Sequence, residues 1–175
     1  MKIKIIRIIL LVILIADLAF IFHNSAQNST SSSSASNSVS GVVAPVVVPN
    51  YKEMDEEEKK VAVISLNAVI RELAHMVQFM PLGFSGFLLL MTLPIKGRWA
   101  YLRIPVTLAF GFICALSDEI HQIFSPGRTF QLFDIGMDML GVAVGCLSAI
   151  ILLALLRIVL KKRSEGGSDA ALNAE

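Results

Sequence analysis

The sequence predicts an all-α integral membrane bundle of four transmembrane helices, with both termini in the cytoplasm. Of the 175 residues, 55% are hydrophobic and only 17% are charged, which is too apolar for an ordinary soluble domain. Apolar stretches long enough to cross a bilayer recur along the chain, and Lys and Arg concentrate on one side of them. A chain of this length leaves no room for a separate soluble catalytic lobe.

The first predicted crossing is the apolar run at residues 3–22, whose start carries the basic residues Lys2, Lys4 and Arg7. Its length of roughly 20 residues matches a hydrocarbon core of about 30 Å. The run does not end in the small, regularly spaced residues of a cleavage site. We therefore predict an uncleaved transmembrane anchor over residues 1–23 rather than a signal peptide.

A polar segment at residues 24–60 separates this anchor from the rest of the chain. Residues 24–40 are mostly Ser, Asn, Thr and Ala, which bury too little apolar area to offset the entropy of ordering. We therefore predict a flexible extracytoplasmic linker. The acidic run at 52–60 can begin an exposed helix, with Asp55 as its cap.

The remaining crossings form a predicted three-helix membrane core over residues 61–163, followed by a cytoplasmic tail at 164–175. The second crossing begins within 74–80 and ends at Pro94. The third starts at Tyr101 or Ile104 and has a short apolar part ending at Leu116, so it should continue through His121 to reach the opposite surface. The fourth covers about residues 135–160 and stops at a basic cluster.

The distribution of basic residues predicts the orientation. Ten Lys and Arg residues lie near the N-terminus, at the turn around residue 96 and at the end of the fourth crossing, against five on the other side. By the positive-inside rule, both termini are cytoplasmic. The 24–60 segment and the 117–134 loop therefore face outward.

Polar side chains gather where the last three crossings meet the predicted outer surface. Helical spacing puts them on three stripes, namely Arg71, His75 and Gln78; Asp118, His121 and Gln122; and Asp134, Asp138, Gly141 and Gly145. Ionisable groups at this depth are costly unless they face a bundle interior or a wet cavity. The sequence thus predicts an outward-facing polar pocket, and the spacing of Gly141 and Gly145 predicts a close helix contact beside it.

The residue types of this pocket suggest two kinds of role. Arg71 and Arg128 suit a phosphate or carboxylate, and Gln78 and Gln122 are further candidates for substrate binding. Histidines can transfer protons, while carboxylates can orient them, act as bases or hold a divalent cation. The candidate catalytic residues are His75, Asp118, Glu119, His121, Asp134 and Asp138.

The sequence does not specify a reaction, a metal or a cofactor. A Ser/His/Asp order, a P-loop and an HExxH motif are all absent from it. The formal net charge is only +1, and without a basic domain there is no basis for nucleic-acid binding.

These motifs resemble the VanZ-like family of bacterial membrane proteins, whose namesake is associated with resistance to teicoplanin-type glycopeptide antibiotics. The resemblance rests on Arg71-x-x-Ala74-His75, on SDEIHQIFSPGR at 117–128, and on Asp134 followed by Asp138-x-x-Gly141. It implies a multi-pass protein of the bacterial cytoplasmic membrane, and hence of the cell envelope. Many members have a Glu where Gln78 stands, so one charge and one possible base are missing here.

Three functions remain open from the sequence. The first is an enzyme that modifies a lipid-linked or cell-wall precursor headgroup, and the alternative is a non-enzymatic binding or immunity factor that limits antibiotic access to its membrane target. A third is a small transporter or a proton-coupled channel, which the lack of polar groups in the inner half argues against. The expected partners are the lipid bilayer and a lipid-linked phosphate, a cell-wall precursor or a lipoglycopeptide antibiotic.

Overall fold

The computed structural model describes residues 2–27 and 29–172, and this part of the chain contains five α-helices and no β-strand. The helices are α1 (Lys2–Ser25), α2 (Ser29–Val47), α3 (Glu56–Thr92), α4 (Arg103–Gln122) and α5 (Leu132–Leu172), with short 3₁₀ helices at Tyr51–Glu53 and Gly97–Leu102. Four of these segments are long and apolar enough to cross a membrane: α1, α3, α5 and the segment Gly97–Gln122 that contains α4. The predicted all-α membrane fold is confirmed.

Helix α1 runs antiparallel to α3 and is tied to it at both ends. Near its start, the Arg7 Nε donates to the Thr92 Oγ1 at 3.2 Å and a second guanidinium nitrogen donates to the Thr92 carbonyl. Near its end, the Asn24 Nδ2 donates to the Gln78 Oε1 at 3.2 Å. Most large apolar side chains of α1 are exposed, as expected for a helix that faces lipid.

The predicted flexible linker needs correction, because residues 29–47 form a helix that packs on α3. Two physical features allow it. Ser40 and Ala44 are small enough to be fully buried against neighbouring helices, and the Ser40 hydroxyl donates to the Ser36 carbonyl at 2.7 Å, so its polar group is satisfied within the helix. Asn67 of α3 also donates to the side chain of Asn37.

Helix α3 starts earlier than the second predicted crossing because it extends beyond the apolar stretch. Asp55 caps it, as predicted: its carboxylate accepts from the Glu58 amide at 2.8 Å, and the Glu58 side chain accepts from the Asp55 amide at 3.0 Å. Such a reciprocal capping box satisfies two amides that a helix start leaves unpaired. The result is one continuous helix of 37 residues.

Helices α3 and α5 are parallel and approach so closely that main chain meets main chain. A Cβ on Gly141 would overlap the Met76 carbonyl oxygen, and a Cβ on Gly145 would overlap that of Met80. The close contact predicted from the small-xxx-small spacing is therefore confirmed. This contact fixes the position of α5 along the axis of α3. It thereby determines which side chains of the two helices meet at the polar end of the bundle.

Helix α4 runs antiparallel to both α3 and α5 and, as predicted, continues past Leu116 to Gln122. Gly111 packs against the side chain of Val142, and the buried core includes Phe79, Leu82 and Ala115. Because the four long helices alternate in direction, the start of α1 and the end of α5 lie at the same end of the bundle. The polar side chains described next lie at the other end.

The last helix extends further toward the C-terminus than the predicted fourth crossing at about residues 135–160. Helix α5 continues to Leu172, through most of the predicted tail at 164–175, and residues 173–175 lie outside the described residues. The orientation in the membrane, with cytoplasmic termini and an outward 24–60 segment, stays a prediction.

Candidate functional site

A cavity of about 290 Å³ opens at the polar end of the bundle. It is lined by Asn24, Ser25, Gln27, Ser36, Arg71, Ala74, His75, Gln78, Asp118, Gln122 and Arg128. Six of the ten predicted site residues are in this set, and they come from α3, α4 and the loop that follows α4. The predicted polar pocket therefore exists in the described part of the chain.

Helical periodicity explains the contributions of α3 and α4. Arg71, His75 and Gln78 are four and three residues apart, so they share one face of α3. Asp118 and Gln122 are one turn apart at the end of α4 and face the same space. Both stripes reach the cavity because α3 and α4 pack against each other just below it.

A tight turn after α4 brings Arg128 back over the cavity. Gly127 has a φ of 77°, a conformation that side chains disfavour, and the Arg128 amide donates to the Ser125 carbonyl at 3.2 Å. The Ser125 hydroxyl donates to the Ser25 carbonyl at 2.9 Å, which fastens the turn to the end of α1. Arg128 is thereby positioned by main-chain geometry as well as by its own side chain.

A chain of hydrogen bonds connects Arg128 to the interior. Its Nη1 donates to the Gln122 Oε1 at 2.8 Å, and the Gln122 Nε2 donates to the Asp118 Oδ2 at 2.7 Å. The other oxygen of Asp118, Oδ1, is buried and has no hydrogen-bond partner among the described residues. One carboxylate oxygen is thus held in place while the other remains available.

Below the cavity, His75 lies between two buried acids of α5. Its Nδ1 is 3.4 Å from the Asp138 Oδ1, and its Nε2 is 4.0 Å from the Asp134 Oδ2. Asp134 is 1% exposed and Asp138 is 0% exposed. Neither oxygen of Asp138 has an aligned hydrogen-bond donor in the described chain, so its contact with His75 is electrostatic rather than a well-formed hydrogen bond.

Glu119, a predicted catalytic residue, contacts the main chain instead of the cavity. Its Oε2 accepts from the Gln131 amide at 2.7 Å, one residue before α5 begins, and the side chain is fully buried. This hydrogen bond ties the end of α4 to the start of α5. Glu119 is therefore placed as a positioning residue for the helix that carries Asp134 and Asp138.

His121, also a predicted catalytic residue, is not brought into the cavity. Its ring meets that of Phe22 edge-on, with centroids 5.8 Å apart. Helical spacing does not separate these residues, because Asp118, His121 and Gln122 share one broad face of α4. Tertiary packing does: the part of that face that carries His121 meets Phe22 of α1. His75 therefore lines the cavity, whereas His121 does not.

The two arginines of the cavity lack carboxylate partners. Arg71 and Arg128 are half-buried, and no carboxylate oxygen of the described residues lies within 4 Å of either guanidinium. Burial lowers the pKa of Arg128 below its usual value, and the positive charge of Arg71 lowers it further. Two like charges held together in this way favour an anion between them.

Three side chains at the base of the cavity, which we call the acidic floor, are of residue types that bind cations. His75, Asp118 and Asp138 each offer a ligand atom, and these three atoms all lie within 4.8 Å of one another. They come from α3, α4 and α5 respectively, so only the assembled bundle brings them together.

Sequence reasoning missed the contributions of the N-terminal region. Asn24, Ser25, Gln27 and Ser36 line the cavity, and Asn24 donates to Gln78 as described above. The Ser-rich composition of residues 24–40 predicted a linker, so no helical face was assigned to these residues. The only available cue was that the apolar run ends in an amide, Asn24, at the depth of the other polar groups.

Comparison with known proteins supports one assignment. The profile of a protein family described as VanZ/LLP1 matches residues 8–156, which covers most of the chain, including every candidate site residue. No curated protein and no solved structure showed significant similarity.

Proposed function

The chain belongs to the VanZ/LLP1 family, and we propose that its cavity binds the phosphate-bearing headgroup of a lipid-linked cell-wall precursor at the outer surface of the bacterial cytoplasmic membrane. In this proposal Arg71 and Arg128 hold the phosphate, Gln78 and Gln122 supply further hydrogen bonds, and His75 transfers protons on the bound headgroup.

The observation that carries the proposal is a pair of guanidiniums in one cavity, neither of which has a carboxylate partner among the described residues. A guanidinium presents a planar fork of donors that matches phosphate oxygens, and charge-assisted bonds of this kind are the stronger ones in proteins. An anion between Arg71 and Arg128 would also relieve their mutual repulsion. A neutral ligand would do neither.

The depth of the cavity supports a lipid-linked ligand over a freely soluble one. The apolar part of α4 ends near Leu116, and Asp118 and Gln122 follow immediately. This position supports a cavity at the level where headgroups meet the hydrocarbon. The distribution of Lys and Arg favours the outer side, where cell-wall precursors are used.

The contacts of His75 support proton transfer. An imidazole changes charge near neutral pH, and the carboxylates of Asp138 and Asp134 face its two nitrogens. A group that can accept and release a proton beside a bound phosphate is suited to general acid–base chemistry.

Direct binding measurements test the headgroup. The full-length protein in lipid nanodiscs should bind a polyprenyl phosphate and should not bind the corresponding polyprenol. Replacing both arginines, Arg71→Gln with Arg128→Gln, should weaken phosphate binding by at least about 100-fold, since at least two charged hydrogen bonds of about 1.5–3 kcal/mol each are lost. Arg98→Gln is the matched control, because Arg98 is exposed and stacks on Trp99 at the opposite end of the bundle. Equal binding of the phosphate and the alcohol would rule out the proposal.

Binding without chemistry is favoured by a different observation: the mouth of the cavity is lined by amides, with Asn24 bonded to Gln78. A protein that only holds precursor headgroups would limit antibiotic access by occupying the target. His75→Gln separates the two mechanisms, because Gln keeps a polar side chain but cannot transfer the proton. Teicoplanin susceptibility of bacteria that express this variant should match the vector control if proton transfer is needed, and the wild type if occupancy is enough.

A further inference from the structure

We propose that His75, Asp118 and Asp138 form a binding site for one divalent transition cation, Zn²⁺ or Mn²⁺, beneath the headgroup cavity. This inference goes beyond headgroup binding and does not depend on it, because it rests on the buried acids of the floor rather than on the arginines. It replaces the proton-transfer role of His75 given above, because an imidazole that binds a cation through Nδ1 has no free nitrogen there to take up a proton.

The separation of the donor atoms fits a common centre. Two ligands that are each about 2.1 Å from a tetrahedral cation lie about 3.4 Å apart, and the His75 Nδ1 and the Asp138 Oδ1 are 3.4 Å apart. Asp118 offers the third ligand atom, which lies within 4.8 Å of the other two. Three protein ligands also leave a coordination position open toward the cavity side, as in catalytic metal sites.

The buried oxygens of these ligands lack the partners that burial requires. Both oxygens of Asp138 and the Oδ1 of Asp118 have no hydrogen-bond donor in the described chain, and the two residues are 0% and 1% exposed. A carboxylate removed from water without a partner is strongly disfavoured. A cation on these oxygens supplies the missing interaction.

Carboxyl groups outnumber basic groups around the floor. The carboxylates outnumber the guanidiniums five to two, the groups being Glu72, Asp118, Glu119, Asp134 and Asp138 against Arg71 and Arg128. Both arginines lie at the cavity and have no carboxylate within ion-pair distance. A divalent charge among the acids would offset most of the excess.

Asp134 occupies the place of a supporting residue for such a site. Metal-binding histidines usually direct their second nitrogen toward a carboxylate, which fixes the tautomer and makes the ligand nitrogen more basic. His75 faces Asp138 with Nδ1 and Asp134 with Nε2. Nδ1 is therefore the ligand nitrogen, and Asp134 is a positioning residue rather than a ligand.

The donor set selects the type of cation. Mg²⁺ and Ca²⁺ prefer oxygen ligands alone, whereas an imidazole nitrogen with carboxylates suits Zn²⁺ and Mn²⁺. Because Zn²⁺ lies above Mn²⁺ in the general affinity order, we expect Zn²⁺ to bind more tightly and Mg²⁺ to bind weakest.

Equilibrium dialysis of chelator-treated, full-length protein in nanodiscs tests the site without any lipid phosphate. The wild type should take up a single Zn²⁺ or Mn²⁺ per chain, and Mg²⁺ should not compete. Asp118→Asn and Asp138→Asn should each weaken binding about 100-fold or more, and Asp134→Asn about 10- to 100-fold, the range found for supporting residues. Asp17→Asn is the control, because Asp17 is also partly buried but lies near Ser85, away from the site.

A second measurement needs no variant and so does not depend on how the variants fold. Pulsed electron paramagnetic resonance of the Mn²⁺-loaded wild type should show coupling to an imidazole nitrogen. Absence of stoichiometric uptake, absence of that nitrogen coupling, or unchanged affinity in folded Asp138→Asn would each overturn the inference. The double variant Arg71→Gln with Arg128→Gln should retain cation binding, which distinguishes failure of this site from failure of the headgroup proposal.

Discussion

The two halves of the α3–α5 interface are built in opposite ways. In the lower half, Gly141 and Gly145 press against the main chain of α3 and leave no space for a side chain. In the upper half, His75 of α3 meets Asp134 and Asp138 of α5, and several oxygens there lack partners. Tight backbone packing stabilises the first half, whereas the second carries groups that are costly to bury.

This difference shows how the bundle supports its polar site. Charged groups keep a fixed geometry only when the elements that carry them are held by other contacts. Gly141 lies less than one turn beyond Asp138, so the glycine contact sets the position of that acid directly. The packed half therefore serves as the rigid base of the polar half.

The largest expected effect comes from filling the glycine contact. Gly141→Ala places a methyl group on the Met76 carbonyl oxygen, and backbone at this point cannot move without separating the helices. We expect the free energy of unfolding to fall by more than about 3 kcal/mol, with loss of cation and headgroup binding, as measured by thermal unfolding in detergent and by the binding assays above.

Gly136→Ala is the control for that variant. Gly136 is on the same helix, but a Cβ there meets nothing within 4 Å, so the added helix propensity should leave stability unchanged or raise it by up to about 1 kcal/mol. If both alanine variants had the same stability, the close contact would not be the base of the site.

The next largest effect concerns the connection between α4 and α5. Glu119→Ala leaves the Gln131 amide without its acceptor, which should cost about 1–3 kcal/mol of stability. Glu119→Gln keeps an acceptor oxygen and should stay close to the wild type in both unfolding and binding. Loss of function in a stably folded Glu119→Gln would instead indicate a chemical role for this carboxylate.

In the polar half of the interface, we expect a substitution to raise the stability of the cation-free protein instead of lowering it. Asp138→Asn removes a buried charge that has no hydrogen-bond partner, so stability in the presence of a chelator should rise by about 1–2 kcal/mol. Glu56→Gln, at an exposed position, provides the comparison and should change little. A fall in stability for Asp138→Asn would show that the ionised acid is already compensated within the bundle.

The smallest effect is expected at the turn that carries Arg128. Ser125→Ala removes the hydrogen bond to the Ser25 carbonyl, which should cost about 1 kcal/mol. Because the turn positions Arg128, phosphate affinity should fall several-fold while cation binding stays unchanged. A loss of both activities would mean that the turn also supports the acidic floor.

Much of the fold followed from local features of the sequence. The four apolar segments, the Asp55 cap, the continuation of α4 to Gln122 and the spacing of Gly141 and Gly145 depend on residues near one another in the chain, and the structure confirms what each predicted. Helix α2 did not follow, because its stability depends on burial of Ser40 and Ala44 against other helices. Composition alone indicated a flexible segment there.

The candidate site was predictable as a set of residues but not as an arrangement. Stripes on individual helices correctly brought Arg71, His75, Asp118 and Gln122 to one cavity. His121 and Glu119 looked equally suitable by residue type and depth, yet one contacts Phe22 and the other contacts the Gln131 amide. Helical spacing gives the face of a residue but not the neighbour which that face meets.

The sequence by itself determined that this chain enters a membrane and that its polar groups collect at one end, because apolar length and helical period are local properties. Only the tertiary structure decided which of those groups touch. The distance between His75 and Asp138 depends on the position of α5 along the axis of α3. That position is set by contacts of Gly141 and Gly145 with residues more than 60 positions away in the chain.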